Sequence, residues 1–161
     1  SYDDSYGFDD YGDDYNDTDT YTSDDMTLIS GNTQVEILGC IDGFTLDYAC
    51  NYFVDYYTDN YSMIEYILET DTTVEDVLAQ LESLGYDGDI SNQTLDVDGE
   101  TLHYSMVLYD EAGDSKYYMI VKELSDGTYL AVKALIYSED SQYTVEQLAQ
   151  ALNSQYYNVI Q

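Results

Sequence analysis

The sequence predicts an α+β protein: an antiparallel meander sheet packed with two amphipathic helices, preceded by an acidic, tyrosine-rich N-terminal arm. Three observations carry this. Val74, Val77, Leu78 and Leu81 recur at i, i+3, i+4, i+7, as do Val145, Leu148, Ala149 and Leu152, and each set forms one apolar stripe of a helix. Asp98–Gly99 and Asp126–Gly127 each separate two strand-like runs, the strongest short-range hairpin signal. The first 25 residues hold ten aspartates, five tyrosines and one phenylalanine, with no lysine, arginine, leucine, isoleucine or valine. The domain division that follows is a low-complexity arm over 1–25 and one globular domain over 26–161.

Taken in order, "MTLIS" and "TQVEILG" read as strands joined by a turn at Gly31–Asn32. "GFTLDYA", "NYFVDYYT" and "YSMIEYILE" continue the meander, the last two around a turn at Asp59–Asn60. "TTVEDVLAQLESLG" follows as a helix near 73–84, with Thr72 and Glu75 spaced as a capping box and Gly85 suited to end it. "SNQTLDV", "TLHYSMVLYD", "KYYMIVKEL" and "TYLAVKALIY" form a four-strand meander, and the long apolar run of the last places it at the centre of the sheet, covered on both faces. A helix near 144–153 closes the chain, with Thr144 and Gln147 repeating the capping-box spacing. All these strands are expected in one sheet, because both helices then have an apolar surface to cover.

The residues "TVEDVLAQLESLG", then "TLDVDGETLHYSMVLYDEAGDSKYYMIVKELSDGTYLAVKALIY", then "TVEQLAQALNS" give an order that resembles the PsbP-like α/β sandwich domains of secreted Gram-positive bacterial proteins. The resemblance covers residues 34–155 and is one of topology. It implies the sandwich fold and transfers no functional residue.

Charge narrows the partners. Thirty-four acids face three lysines, a net charge of −31. Nucleic acid and anionic membrane surfaces repel such a chain, and no run reaches the about 20 apolar residues of a membrane helix. Cations or copies of the chain itself are the expected partners. Asp13, Asp14, Asp17 and Asp19 are weak candidates for loose Ca²⁺ or other divalent binding, since alternating oxygens are present but the glycine of an EF-hand loop is not. No other cofactor is expected.

Cys40 and Cys50 are ten residues apart with Gly43 between them, and they read as one disulfide across neighbouring strands of a protein from an oxidising compartment. With no C-x-x-C pair and the single histidine, His103, far away, no zinc site is expected. The sequence opens at Ser1 without an apolar leader, so a secreted protein with its leader removed and no lipid anchor is expected. Asn16, Asn60 and Asn92 stand in N-x-Ser/Thr sequons.

No catalytic motif appears. His103 sits between Leu102 and Tyr104 in a strand pattern and is expected to be structural. Carboxylates are too numerous for the sequence to select a catalytic pair. The arm is the remaining handle. It lacks the apolar content to offset its own ordering entropy of roughly 1–2 kcal/mol per residue, whereas Tyr2, Tyr6, Phe8, Tyr11, Tyr15 and Tyr21 recur as ready anchors. All three lysines, Lys116, Lys122 and Lys133, fall in the last hairpin and are the expected landing site. The expected function is a non-enzymatic extracellular or cell-surface subunit that self-assembles, as an oligomer or filament, through this arm. The alternatives are a monomeric secreted domain binding cations or cell-wall material, and an enzyme with an unrecognised carboxylate pair.

Overall fold

The computed structural model describes residues 20–161. Among them are strands β1 (Thr27–Ser30), β2 (Thr33–Ile37), β3 (Thr45–Ala49), β4 (Val54–Tyr57), β5 (Met63–Thr70), β6 (Gly88–Val97), β7 (Glu100–Leu108), β8 (Lys116–Ser125), β9 (Thr128–Ile136) and β10 (Tyr157–Val159). Helix α1 (Val74–Leu78) lies between β5 and β6, and α2 (Val145–Ala149) between β9 and β10. Each continues into a 3₁₀ turn, over Ala79–Ser83 and Gln150–Leu152.

The described strands form two antiparallel sheets rather than the single one expected. The larger has the order β3-β4-β5-β9-β8-β7-β6, and the smaller the order β1-β2-β10. The meander from β6 to β9 is the one its turns predict: Asp98 and Gly99 both adopt positive φ, 53° and 83°, as a two-residue hairpin turn of this hand requires. The departure comes from β2. It is flanked by β1 on one side and by the C-terminal β10 on the other. The turn that follows β2 carries Gly39 and Gly43 and leads the chain away to the larger sheet. The Tyr66 hydroxyl ties that turn to the end of α2, at 3.1 Å from the Gly39 carbonyl and 2.7 Å from that of Ala151.

The two helices cover opposite faces of the larger sheet. Val77, Leu78 and Leu81 pack with Val107, Met119, Val121 and Ala131 on one side. On the other, Leu148, Ala149, Ala151 and Leu152 pack with Ile120, Leu130 and Val132, and the small sheet adds Leu28, Val35 and Ile37 to the same core. Burying each of these large side chains contributes about 1.5–3 kcal/mol. Consecutive β8 and β9 residues are buried on both faces, which is why their sequence runs apolar rather than alternating.

The capping box of α2 is present in full between Thr144 and Gln147. That of α1 is shifted by one residue: Thr73, not Thr72, is the cap, accepting from the Asp76 amide. Gly85 does not end the helix as expected, since the 3₁₀ turn closes at Leu84. It is required instead because a Cβ there would run into the Leu108 carbonyl oxygen.

Cys40 and Cys50 are free thiols, which corrects the disulfide expectation. Cys40 follows β2 and Cys50 follows β3, in different sheets rather than on the neighbouring strands expected. Burial pushes the Cys40 thiol up to about 12, partly offset by a hydrogen bond with Tyr66.

Candidate interaction face

The two halves of the larger sheet are covered unequally on the α1 side. Helix α1 and its 3₁₀ turn pack on β6, β7 and β8. Residues opposite one another on neighbouring antiparallel strands share a face. The registers therefore place a row Tyr48–Asp55–Glu65–Lys133 on the α1 side, ending on Met119 beneath the helix. A parallel row runs Thr45–Tyr57–Met63–Leu135–Tyr117. Asp55 and Leu135 are each only 8% exposed, yet neither belongs to either packed core.

Asp55 is the most perturbed carboxyl of this face. Burial first, then a hydrogen bond with Glu65 and the charges of Glu65 and Asp47, push it up to about 8, against an opposing pull from Lys133. Its Oδ1 is buried without a hydrogen-bond partner. The Lys133 ammonium lies 3.4 Å from Glu65 Oε1. The face thus holds the Lys133–Glu65 ion pair beside a carboxyl whose pKa is raised, with Asp47 as a further acid whose charge reaches it.

Tyrosines border this region. The Tyr109 ring sits 5.9 Å from that of Tyr117 and 5.5 Å, edge-on at 89°, from that of Tyr137. Burial raises the hydroxyls of Tyr57, Tyr117 and Tyr137, with nearby Asp55 adding to the effect at Tyr57 and a hydrogen bond with Tyr109 adding to it at Tyr137. All therefore remain protonated donors at neutral pH. On the opposite border, the Tyr48 ring lies 6.0 Å from that of Tyr21 at 82° and 5.7 Å from that of Phe53.

Tyr21 is thus the one tyrosine of the expected arm that the structure places, seated at the β3 edge. Around it, the Thr22 amide and hydroxyl bond to Asp25 Oδ2 at 3.0 and 3.1 Å, and the Ser23 hydroxyl donates to Glu36 at 2.9 Å. Tyr2, Tyr6, Phe8, Tyr11 and Tyr15 lie outside the described residues, as do Asp13, Asp14, Asp17 and Asp19. Among the described residues no group of three or more histidine, cysteine or acidic side chains is disposed to hold a metal.

The three lysines do not form one landing site. Lys133 shares the face of Met119, whereas Lys116 and Lys122 stand on the other face, opposite Ile136 and Leu130. Those two are six residues apart along one strand, about 20 Å. Lys122 is 8% exposed and fully engaged, 2.9 Å from Glu100, 3.2 Å from the Leu152 carbonyl and over the Tyr157 ring at 4.9 Å. Burial lowers its pKa, but hydrogen bonds with Tyr157 and Glu100 more than offset this and raise it. Lys116 has no ion pair among the described residues and lines a cavity of about 290 Å³ with Asp114, Tyr118, Ile136, Tyr143 and Val145. His103 sits at the surface, its Nδ1 2.8 Å from the Asn92 side-chain oxygen, with no nucleophile beside it.

The Asp55–Glu65 pair is not apparent in the sequence. The only hint is a lone acid inside each of two apolar runs, "FVDYY" and "MIEYIL"; that they meet depends on the β4–β5 register. Among the described residues no helix is long and apolar enough to cross a membrane. In comparisons with known proteins, no family model and no curated protein matches this chain.

Proposed function

We propose that the protein is a non-enzymatic extracellular structural subunit that assembles with copies of itself through its N-terminal arm. The observation that carries this reading is the seat of Tyr21 on Tyr48, which delivers the arm to the border of a tyrosine-rich sheet face bearing the Lys133–Glu65 ion pair. An arm of 19 further residues reaches about 60 Å when extended, enough to meet a neighbour. Head-to-tail contacts of this kind build filaments when they do not close into a ring. The net charge argues against nucleic acid as a partner and for loosely held cations around the arm.

The use of Asp55 and Glu65 supports a structural rather than a hydrolytic role. They share a hydrogen bond, whereas carboxyls that hydrolyse glycosides stand about 5–9.5 Å apart to admit substrate or water. The cavity beside Lys116 favours a second reading, a monomeric secreted binding domain.

Sedimentation velocity separates the two. The full chain and a chain starting at Thr20 are compared from low to high salt. Screening shortens the Debye length from about 30 Å at 0.01 M to about 8 Å at 0.15 M, so the full chain is expected to assemble as salt rises and the shortened chain to stay monomeric. A full chain that is monomeric at every salt concentration, or a shortened chain that assembles equally well, makes the monomeric binding domain the better reading.

A further inference from the structure

We infer that the segment 1–19 docks on the half of the α1-side sheet face that α1 does not cover, its tyrosines packing against Tyr57, Tyr117 and Tyr109. The inference rests on the arm-mediated assembly proposed above and names its receptor.

Three observations converge on this surface. The first is where the described chain begins: Tyr21 packs on the α2-side core and lies edge-on to Tyr48 on the outermost strand, so the segment before it starts at the sheet edge where the two faces meet. Crossing from β3 to β8 takes four strand spacings, about 19 Å, well within the reach of 19 residues. The second is the surface itself. It sets Met63 and Leu135 between Tyr57 and Tyr117, with Tyr109 still 37% exposed at its end. Rings arriving here meet others edge-on, the arrangement aromatic pairs prefer.

The third observation is charge. Residues 1–19 carry eight aspartates and no cation, so an acidic surface repels them. On this face Lys133 offsets the charge of Glu65. Asp47 on β3 is the remaining acid whose charge reaches Asp55. The competing dock, the cavity beside Lys116, offers a cation but also carries Asp114 and lies on the opposite face.

The test is dityrosine photo-cross-linking of the full chain, using an equal mixture of ¹⁴N- and ¹⁵N-labelled protein, read by peptide mass spectrometry. The expected products join Tyr2, Tyr6, Tyr11 or Tyr15 to Tyr57, Tyr109 or Tyr117. Excess synthetic peptide 1–19 should lower their yield at least about fivefold, and the same peptide with every tyrosine replaced by serine should not. Products of mixed isotope mass support both the dock and assembly. Products of one isotope mass only support the dock and overturn assembly. Arm cross-links confined to Tyr118 and Tyr143 in the Lys116 cavity, or insensitivity to the peptide, overturn the dock. A Tyr109→Ser variant adds a check that does not disturb either core: arm cross-links to Tyr57 and Tyr117 should fall in yield, and unchanged yields count against this surface.

Discussion

Two aspartates, Asp55 and Asp140, are almost equally removed from water, at 8% and 4% exposure, and their carboxyls respond in opposite directions. Burial pushes both up. At Asp140 that push is overcome by hydrogen bonds from Ser62, Thr58 and Asn60, and the pKa falls below its ordinary value. The Thr58 hydroxyl donates to Oδ2 at 2.6 Å and the Asn60 amide to Oδ1 at 3.0 Å. At Asp55 the neighbouring groups are themselves acids, one oxygen has no partner, and the pKa rises to about 8. The difference shows that donors, together with the deeper packing of the Asp55 carboxyl itself, decide whether a carboxyl is a structural anion or a neutral acid. Asp140 pins the turn between β4 and β5 to the turn after β9. Asp55 lies in a cross-strand row with Glu65 and Lys133.

The largest effect is expected at Asp140. Asp140→Ala strands the Thr58 and Asn60 donors and should cost about 3 kcal/mol in denaturant unfolding at pH 7. Because its pKa is lowered on folding, the wild-type contribution is present above the ordinary carboxyl range and is lost as pH falls through about 4 and below. A variant as stable as wild type would remove the anion side of the comparison.

Asp55→Asn should act the other way. With a raised pKa, the folded chain binds more protons than the unfolded one between the ordinary value of 3.8 and about 8. This group's contribution is therefore fully present below pH 4 and declines as pH rises through 8. The asparagine can still donate to Glu65 but cannot ionise. It should be about 1–3 kcal/mol more stable than wild type at pH 9 and within about 0.5 kcal/mol of it at pH 5. Equal destabilisation at both pH values would show that Asp55 is needed as an anion.

Cys40 extends the comparison to a thiol. Burial pushes its pKa up to about 12, so its reactive thiolate is scarce at pH 8. Thiol titration of the unreduced protein in denaturant should find two thiols, with Cys40 alkylated slowly in the native state. No free thiol in denaturant would restore the disulfide. The smallest effect belongs to His103, which has a single hydrogen bond at the surface. His103→Ala should change stability by less than about 0.5 kcal/mol and leave assembly intact, and loss of a function without loss of folding would bring an enzyme back into consideration.

What could be read from the sequence follows from the range of the interaction. Helix stripes, the Thr144–Gln147 box and the Asp98–Gly99 turn are local, and each lies within a few residues of where its pattern placed it. Thr72 was one residue off because two adjacent threonines precede α1 and only the backbone chooses between them. The second sheet was missed because its third strand, β10, has three residues, too few to show alternation. The lysines looked like one patch because they are near in sequence, but the pleat sends Lys133 to the other side of the sheet from Lys116 and Lys122. The Asp55–Glu65–Lys133 row depends on three strands whose order, β4-β5-β9, brings together segments about 70 residues apart, and no single stretch encodes it.

The central claim, assembly through the arm, is tested most directly by negative-stain electron microscopy of the purified full chain at 0.15 M salt, beside the chain starting at Thr20. The account predicts filaments or regular oligomers for the full chain and single small particles for the shortened one. Single particles from both, or the same polymers from both, would contradict it.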